Sequence, residues 1–241
     1  MALRGKLGTR RLDSHAFGSV FFGLQRMQCR HAEVRSLLTA LSAALPPLPS
    51  AAPGLSQAEG QGQGQGQGQG ETHFLATSYA MAFSGLRLLR DDTEEVAQLL
   101  ARIHALMVTC PEHFATSSLV NILFGLQSMT AGGGDTVRNI LSFVSMQFTR
   151  NNDTSASSVG SDSLSEHCAL TPPRLGRALY GLQCMSSDVA EVREVVLALA
   201  STLEQQRPRQ EEAVCFSALD LRRVVGGLRG FSSDHHEVRI K

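Results

Sequence analysis

The sequence predicts an all-α fold, an α-solenoid of about five helix–turn–helix repeats with disordered insertions between repeats and an incomplete last repeat. The first observation is a glycine–leucine pair that recurs in similar apolar surroundings, at Gly23, Gly85, Gly125, Gly181 and Gly227. The second is that apolar residues around each glycine recur at steps of three and four, the spacing of one helix face. The third is another stripe of this spacing, which begins about ten residues after most of the glycines. Units of this kind cannot bury an apolar face alone, so they stack.

The first helix of each repeat is predicted from residues numbered relative to its glycine, which we take as position 0. Apolar side chains recur at positions −11, −6, −3, −2, +1 and +4; in the third copy they are Phe114, Leu119, Ile122, Leu123, Leu126 and Met129. A glycine inside a helix costs about 1 kcal/mol relative to alanine. Its retention at position 0 therefore predicts a close helix crossing at each of the five glycines.

The second helix of each repeat is predicted from a glutamate–valine pair and the apolar stripe that follows it. Glu95 and Glu191 begin two of these pairs, and Asp92, Asp188 and Asp234 lie three residues before the glutamates of their copies. This Asp-x-x-Glu spacing is typical of a helix start with mutual side-chain capping, and each cap contributes about 1 kcal/mol.

The intervals between repeats contain segments too polar or too rich in Gly and Pro to offset their ordering entropy, so we expect them to be disordered. The last copy stops only four residues after Glu237, which favours a fragment of a longer array. The predicted segments, in chain order, are a basic tail (1–11), repeat 1 (12–45), a Pro/Ala/Gly and Gln-Gly linker (46–73), repeat 2 (74–109), repeat 3 (110–150), a Ser/Asp/Asn-rich insert (151–169), repeat 4 (170–204), a charged linker (205–213) and a partial repeat 5 (214–241).

Composition argues against several classes of function. The 22 basic and 22 acidic residues cancel, so no global field attracts a polyanion. No apolar run approaches the roughly 20 residues of a membrane span. The five cysteines lack the paired spacing of zinc or redox motifs, and no nucleophile has a base at a recurring spacing. We therefore predict a non-enzymatic protein with no catalytic residues, no metal site and no small-molecule cofactor.

Two columns of aligned polar positions are candidates for a binding surface. Position +2 holds Gln25, Arg87, Gln127, Gln183 and Arg229. Position −4 holds Asn121, Arg177 and Arg223 in the last three copies. Six residues separate the columns, or about 240° around a helix, so at most one column lines a groove. The +2 side chains either read base edges or form a polar ladder between repeats, and those at −4 either contact phosphate or are solvated.

The segment from Phe114 through Gly125-Leu126-Gln127 to Met129, followed by a short turn and a second helix, is similar to the octotricopeptide and heptatricopeptide repeats. The resemblance covers about two thirds of the chain, and Phe-Gly or Tyr-Gly replaces the Trp-Ala of the family. It implies an α-solenoid that acts in RNA processing, stability or translation in a mitochondrion or plastid.

We therefore expect one of two partners. An RNA is favoured by the resemblance and by the glutamine and arginine column. A peptide or partner helix held in the groove, as in a protein-interaction scaffold, is favoured by the neutral charge. The basic N-terminal residues, Arg4 to Arg11, are those of a truncated organellar leader or of a plain basic terminus. The cytoplasm is the other expected location, and secretion is not expected.

Overall fold

A computed structural model describes residues 12–47, 73–132, 134–157, 169–206 and 215–231. These residues confirm the all-α prediction, because within them the secondary structure is helical and contains no strand. The helices are α1 (Ser14–Phe22), α2 (Ala32–Ala44), α3 (Ala76–Leu86), α4 (Glu94–Val108), α5 (Thr116–Gly125), α6 (Asp135–Ser157), α7 (Pro172–Gly181), α8 (Ala190–Gln206) and α9 (Ala218–Gly227), followed by a 3₁₀ turn (Leu228–Gly230).

The described helices pack in two rows. Helices α1, α3, α5, α7 and α9 each contact the next of that series, and we call them the first-helix row. Helices α2, α4, α6 and α8 do the same and form the second-helix row. The two rows share one apolar core, in which the side chains at positions −6 and −2 of copies one to four are buried. Aromatic rings fill one end of this core, where Phe17 stacks on Phe74 with centroids 4.3 Å apart.

Glycine lies at each crossing of the first-helix row. A Cβ built on Gly85, Gly125, Gly181 or Gly227 would overlap the backbone carbonyl oxygen at position −2 of the preceding copy. Those carbonyls belong to Phe21, Phe83, Leu123 and Leu179. The helices approach so closely here that a residue with any side chain would force them apart. Gly23 is the exception, since its added Cβ would meet only backbone of its own turn, at Val20 and Ser19.

The capping box predicted at α4 is not formed, and α8 begins one residue later than its predicted box implied. Helix α4 has Thr93 as its N-cap without a side-chain hydrogen bond, while Asp92 pairs with Arg90 at 3.5 Å and Glu95 with Arg35 at 3.6 Å. Helix α8 begins at Ala190, so Asp188 and Glu191 are one residue out of capping register. The cause is a turn one residue longer than the spacing implied. Asp234 lies outside the described residues.

An arginine early in three second helices secures the turn instead. Arg35, Arg138 and Arg193 lie in the first turns of α2, α6 and α8. Each guanidinium donates to a backbone carbonyl of the turn before its helix, with distances of 3.1 Å to Cys29, 2.9 Å to Ala131 and 2.7 Å to Ser187. Backbone acceptors of the turn are thereby satisfied by side chains from the helix that follows.

Helix α6 is longer than predicted and continues through Ser157, into the segment expected to be disordered. Asn151 is buried there, and its amide donates to the Phe114 carbonyl at 3.0 Å, which ties the helix to the start of its own copy. Helix α8 similarly reaches Gln206, whose amide oxygen accepts from the Leu170 amide at 2.9 Å. The basic tail, most of the Gln-Gly linker, residues 158–168 and 207–214, and the end of repeat 5 lie outside the described residues.

Candidate functional site

A cleft of about 360 Å³ crosses the outer surface of the first-helix row. Phe22 of α1 and Met81 of α3 form an apolar end, and Arg177 of α7 lies at the other. Between them the walls carry small hydroxyl side chains and one amide, from Thr77, Ser84, Ser117, Ser118 and Asn121. Four successive helices therefore contribute to one surface that offers hydrogen-bond partners, an exposed apolar patch and a cation.

Arg177 is the most distinctive residue of this surface. Its guanidinium lies over the Phe124 ring, 4.8 Å from the centroid. The Phe124 and Tyr180 rings are 6.3 Å apart, so the cation and two aromatic rings form one cluster. Desolvation by burial lowers the pKa of Arg177, and the charges of Arg223 and Arg87 lower it further. Three arginines thus repel one another at this end of the cleft.

The charge of this cluster is poorly compensated. Arg223 lies 3.9 Å from Asp220, a buried carboxylate that also accepts hydrogen bonds from Ser217. Among the described residues, no carboxylate lies within 4.0 Å of the Arg177 or Arg87 guanidinium, and neither guanidinium forms a hydrogen bond. A half-buried guanidinium has five donors to satisfy, so the site is suited to an anionic ligand with several acceptor oxygens.

The +2 column is divided between two roles. The Gln127 amide donates to the Arg87 carbonyl at 3.3 Å, and the Gln183 amide donates to the Gln127 carbonyl at 3.2 Å. These two side chains therefore form the polar ladder that was one of the two alternatives. Arg87 contributes its backbone to the ladder and its charge to the cluster. Gln25 is half-buried, and Arg229 is exposed in the 3₁₀ turn.

The −4 column faces the cleft. Met81, Asn121 and Arg177 line it directly, and Arg223 lies close enough to affect the pKa of Arg177. The 240° separation expected for one continuous helix does not apply, because position +2 lies in the turn after the first helix, and Arg87 of that column approaches Arg177 of the −4 column.

Sequence reasoning missed position −1, which holds Phe22, Ser84, Phe124, Tyr180 and Gly226. Three of its five residues are aromatic, and the structure leaves these three exposed or half-exposed on the cleft side of the row. The sequence contains a signal for this position. Aromatic residues make up only 5% of the chain, so three of five at one repeat position is a marked enrichment. It was overlooked because the binding candidates were sought only among aligned polar positions, and position −1 is mostly aromatic.

The described residues contain no group of three or more His, Cys, Asp or Glu side chains placed to hold a metal ion. In the same ranges, no helix has both the length and the apolar character needed to cross a membrane. The chain matches no protein-family model, curated protein or solved structure in the comparisons made.

Proposed function

We propose that this protein is a non-catalytic α-solenoid of five repeats that binds single-stranded RNA along the cleft of the first-helix row. The observation that carries the proposal is the cluster of Arg177, Arg87 and Arg223 beside the Phe124 and Tyr180 rings. Proteins bind single strands by combining a cationic track for phosphates with aromatic faces on which bases stack. The resemblance to octotricopeptide repeats adds the expectation of a role in organellar RNA processing, stability or translation.

The electrostatic part of this proposal is local. A net charge of zero provides no general attraction for RNA, so affinity must come from guanidinium groups that have no hydrogen-bond acceptor or carboxylate partner among the described residues. Arg177 and Arg87 meet this condition, whereas Arg35, Arg138 and Arg193 are occupied by turn carbonyls. A phosphate bound between Arg177 and Arg87 would also relieve their mutual repulsion.

The remaining groups supply base contacts. The exposed fraction of Phe22 is 41% and that of Met81 is 42%, which leaves room for a base to stack at the apolar end of the cleft. Asn121 lies between this end and Arg177, and a carboxamide can pair with the edge of a base. These groups suit unstacked bases of a single strand rather than a duplex, whose bases stay stacked.

The test is fluorescence anisotropy of a labelled single-stranded RNA pool at increasing salt. The logarithm of affinity should fall linearly with the logarithm of salt concentration, by about 0.7 per phosphate contact. Arg177→Ala should weaken binding and reduce the slope by about 0.7. Arg30→Ala is the matched control, because Arg30 is exposed in the turn between α1 and α2 and carries the same charge. Equal effects of the two variants would contradict the proposal.

The competing function is capture of an extended peptide, which the apolar end of the cleft also favours. Such a scaffold would show no salt-dependent RNA retention, and Met81→Asp would abolish pull-down of its partner while Arg177→Ala would have little effect. The anisotropy experiment separates the two, because a peptide scaffold would not bind the RNA pool with a phosphate-dependent slope.

A further inference from the structure

Ser118 is a buried polar residue in the wall of the cleft. It lies in the first turn of α5 and is only 4% exposed, yet within the described residues its hydroxyl forms no hydrogen bond. Its oxygen is not sealed inside the protein, because Ser118 is one of the residues that line the cleft. Buried polar groups normally have a hydrogen-bond partner, so this hydroxyl is a candidate contact for a ligand in the cleft.

The helix itself does not satisfy this hydroxyl. A serine within a helix can bond the backbone carbonyl one turn earlier. Ser84, which lines the same cleft, does so and donates to the Ala80 carbonyl at 2.9 Å. For Ser118 the equivalent carbonyl is that of Phe114, which precedes α5 and accepts from the Asn151 amide at 3.0 Å. The bond that satisfies Ser84 is therefore not made at Ser118.

The neighbouring copy shows the kind of partner that Ser118 lacks. Ser118 is at position −7, and the same position in copy two holds Ser78, whose hydroxyl shares a hydrogen bond with that of Ser14 at 2.9 Å. Ser14 is at position −9 of the copy before. The residue at that position for Ser118 is Ala76, which has no hydroxyl. A second hydroxyl completes the serine at position −7 of copy two, and a ligand in the cleft can supply one to Ser118.

The order of chemical groups along the cleft matches the order of groups in a nucleotide. Arg177 lies at one end as a cation for phosphate, and Phe22 and Met81 form an apolar patch for a base at the other. Ser118 belongs to the polar section between these ends. The sugar of a nucleotide lies between its phosphate and its base, so a nucleotide bound in this order places its ribose beside Ser118. The 2′-hydroxyl of ribose is both donor and acceptor, and it is the group that distinguishes RNA from DNA.

We infer that Ser118 is a specificity-determining residue that selects RNA over single-stranded DNA by bonding the ribose 2′-hydroxyl of a nucleotide bound in the cleft. The inference rests on the proposed function, since it assigns the sugar selectivity of the same cleft. Asn121 lines the same wall one turn further along α5, so one nucleotide can contact Ser118 with its sugar and Asn121 with its base edge. Deoxyribose leaves the Ser118 hydroxyl unpaired in a buried site, which lowers affinity.

The experiment compares two labelled pools by fluorescence anisotropy, a random-sequence single-stranded RNA and a DNA of the same length with deoxyuridine in place of thymidine. The wild-type protein should bind the RNA pool roughly tenfold more tightly, the effect of one hydrogen bond left unmade in a buried site. Ser118→Ala should lower the RNA affinity to that for DNA and leave the DNA affinity unchanged. Ser84→Ala is the matched control and should keep the wild-type preference, because the Ser84 hydroxyl in the same cleft already bonds the Ala80 carbonyl.

The stability of the variants separates a ligand contact from a structural role. Ser118→Ala removes a hydroxyl that has no partner among the described residues, so its midpoint of unfolding in urea should not fall. Ser78→Ala breaks the bond to Ser14, so its midpoint should fall. A Ser118→Ala protein that unfolds at lower urea than the wild type would show that the fold needs this hydroxyl, and would overturn its assignment to the ligand.

Three binding results would overturn the inference while the proposed function stands. The first is equal affinity of the wild-type protein for the two pools. The second is an equal loss of affinity for both pools in Ser118→Ala, since the hydroxyl would then contact a phosphate or base that both pools share. The third is an RNA preference that survives Ser118→Ala, because the sugar would then be recognised elsewhere. Failure of the wild-type protein to bind either pool would contradict the proposed function itself, and the inference with it.

Discussion

At the scale of single residues, the glycine at position 0 and the glutamine at position +2 both fix how one copy packs on the copy before it. Glycine at position 0 lets the first helices approach until backbone meets backbone, as at Gly125 and the Phe83 carbonyl. Two residues further on, the Gln127 side chain crosses the same junction and donates to the Arg87 carbonyl. Close approach and a directional hydrogen bond together fix the register of one copy on the next.

Gly125→Ala should therefore destabilise the fold. Its Cβ would overlap the Phe83 carbonyl, and overpacking of this kind costs about 1–3 kcal/mol, more than the helix propensity gained. The measurement is the free energy of unfolding in urea. Gly23→Ala is the matched control at the same repeat position, and it should change stability by no more than about 1 kcal/mol. Equal costs at both sites would show that the crossing is not the reason for the glycine.

Gln127→Met tests the ladder. It removes the hydrogen bond to the Arg87 carbonyl but keeps an apolar side chain of similar length, so stability should fall by about 1 kcal/mol. Gln98→Met is the control, because Gln98 is exposed and bonds only Glu94 on its own helix. RNA affinity should stay within about twofold, or roughly 0.4 kcal/mol. A large loss of affinity at unchanged stability would instead place Gln127 on the binding surface.

These residues differ in how far the sequence predicted them. The close approach at the glycines could be predicted from the sequence. Glycine inside a helix is destabilising, so its recurrence there indicates that packing requires it. The role of the glutamines was left undecided, since an amide donates equally well to a carbonyl of the next copy and to the edge of a base. Only the positions of the neighbouring helices distinguish the two partners.

At the scale of elements, some helix starts depend on neighbouring segments and others on local caps, such as Asp13 at α1. Helix α3 has Leu75 as its N-cap, and its first amide, at Ala76, donates to the Glu112 carboxylate at 2.7 Å. The Thr130 amide likewise donates to Asp91 at 3.1 Å across two successive turns. The Asp-x-x-Glu spacing was misleading because the charged side chains pair between segments, as Glu95 does with Arg35. A spacing rule describes one segment and cannot anticipate partners that folding supplies.

A pair of substitutions tests this conclusion. Helix α9 has a true capping box, in which Ser217 and Asp220 each accept from the other's backbone amide. Ser217→Ala should therefore cost about 1 kcal/mol, seen as faster amide hydrogen exchange in α9. Asp92→Ala should leave exchange in α4 unchanged within about 0.5 kcal/mol, since Asp92 does not cap that helix. A strong effect of Asp92→Ala would show instead that Asp92 caps α4, as the sequence predicted.

At the scale of the whole molecule, the two rows explain why the cleft is built from residues far apart in the chain. Repetition brings positions −4 and −1 of successive copies to one surface, so Phe22, Met81 and Arg177 line one cleft. The periodicity predicted the helices and their apolar faces. It did not predict the cleft itself, because Arg177, Asn121 and the aromatic residues differ between copies and a repeat pattern records only what the copies share.

The most direct measurement of the central claim is photocrosslinking of a single-stranded RNA that carries 4-thiouridine, followed by mass spectrometry of the attached peptides. RNA bound in the cleft should crosslink to peptides of α3, α5 and α7, with Met81, Phe124 or Tyr180 as attachment points. Arg177→Ala should reduce the yield, and Arg30→Ala should not. Crosslinks confined to α4, α6 and α8, or a yield unaffected by Arg177→Ala, would contradict RNA binding on the first-helix row.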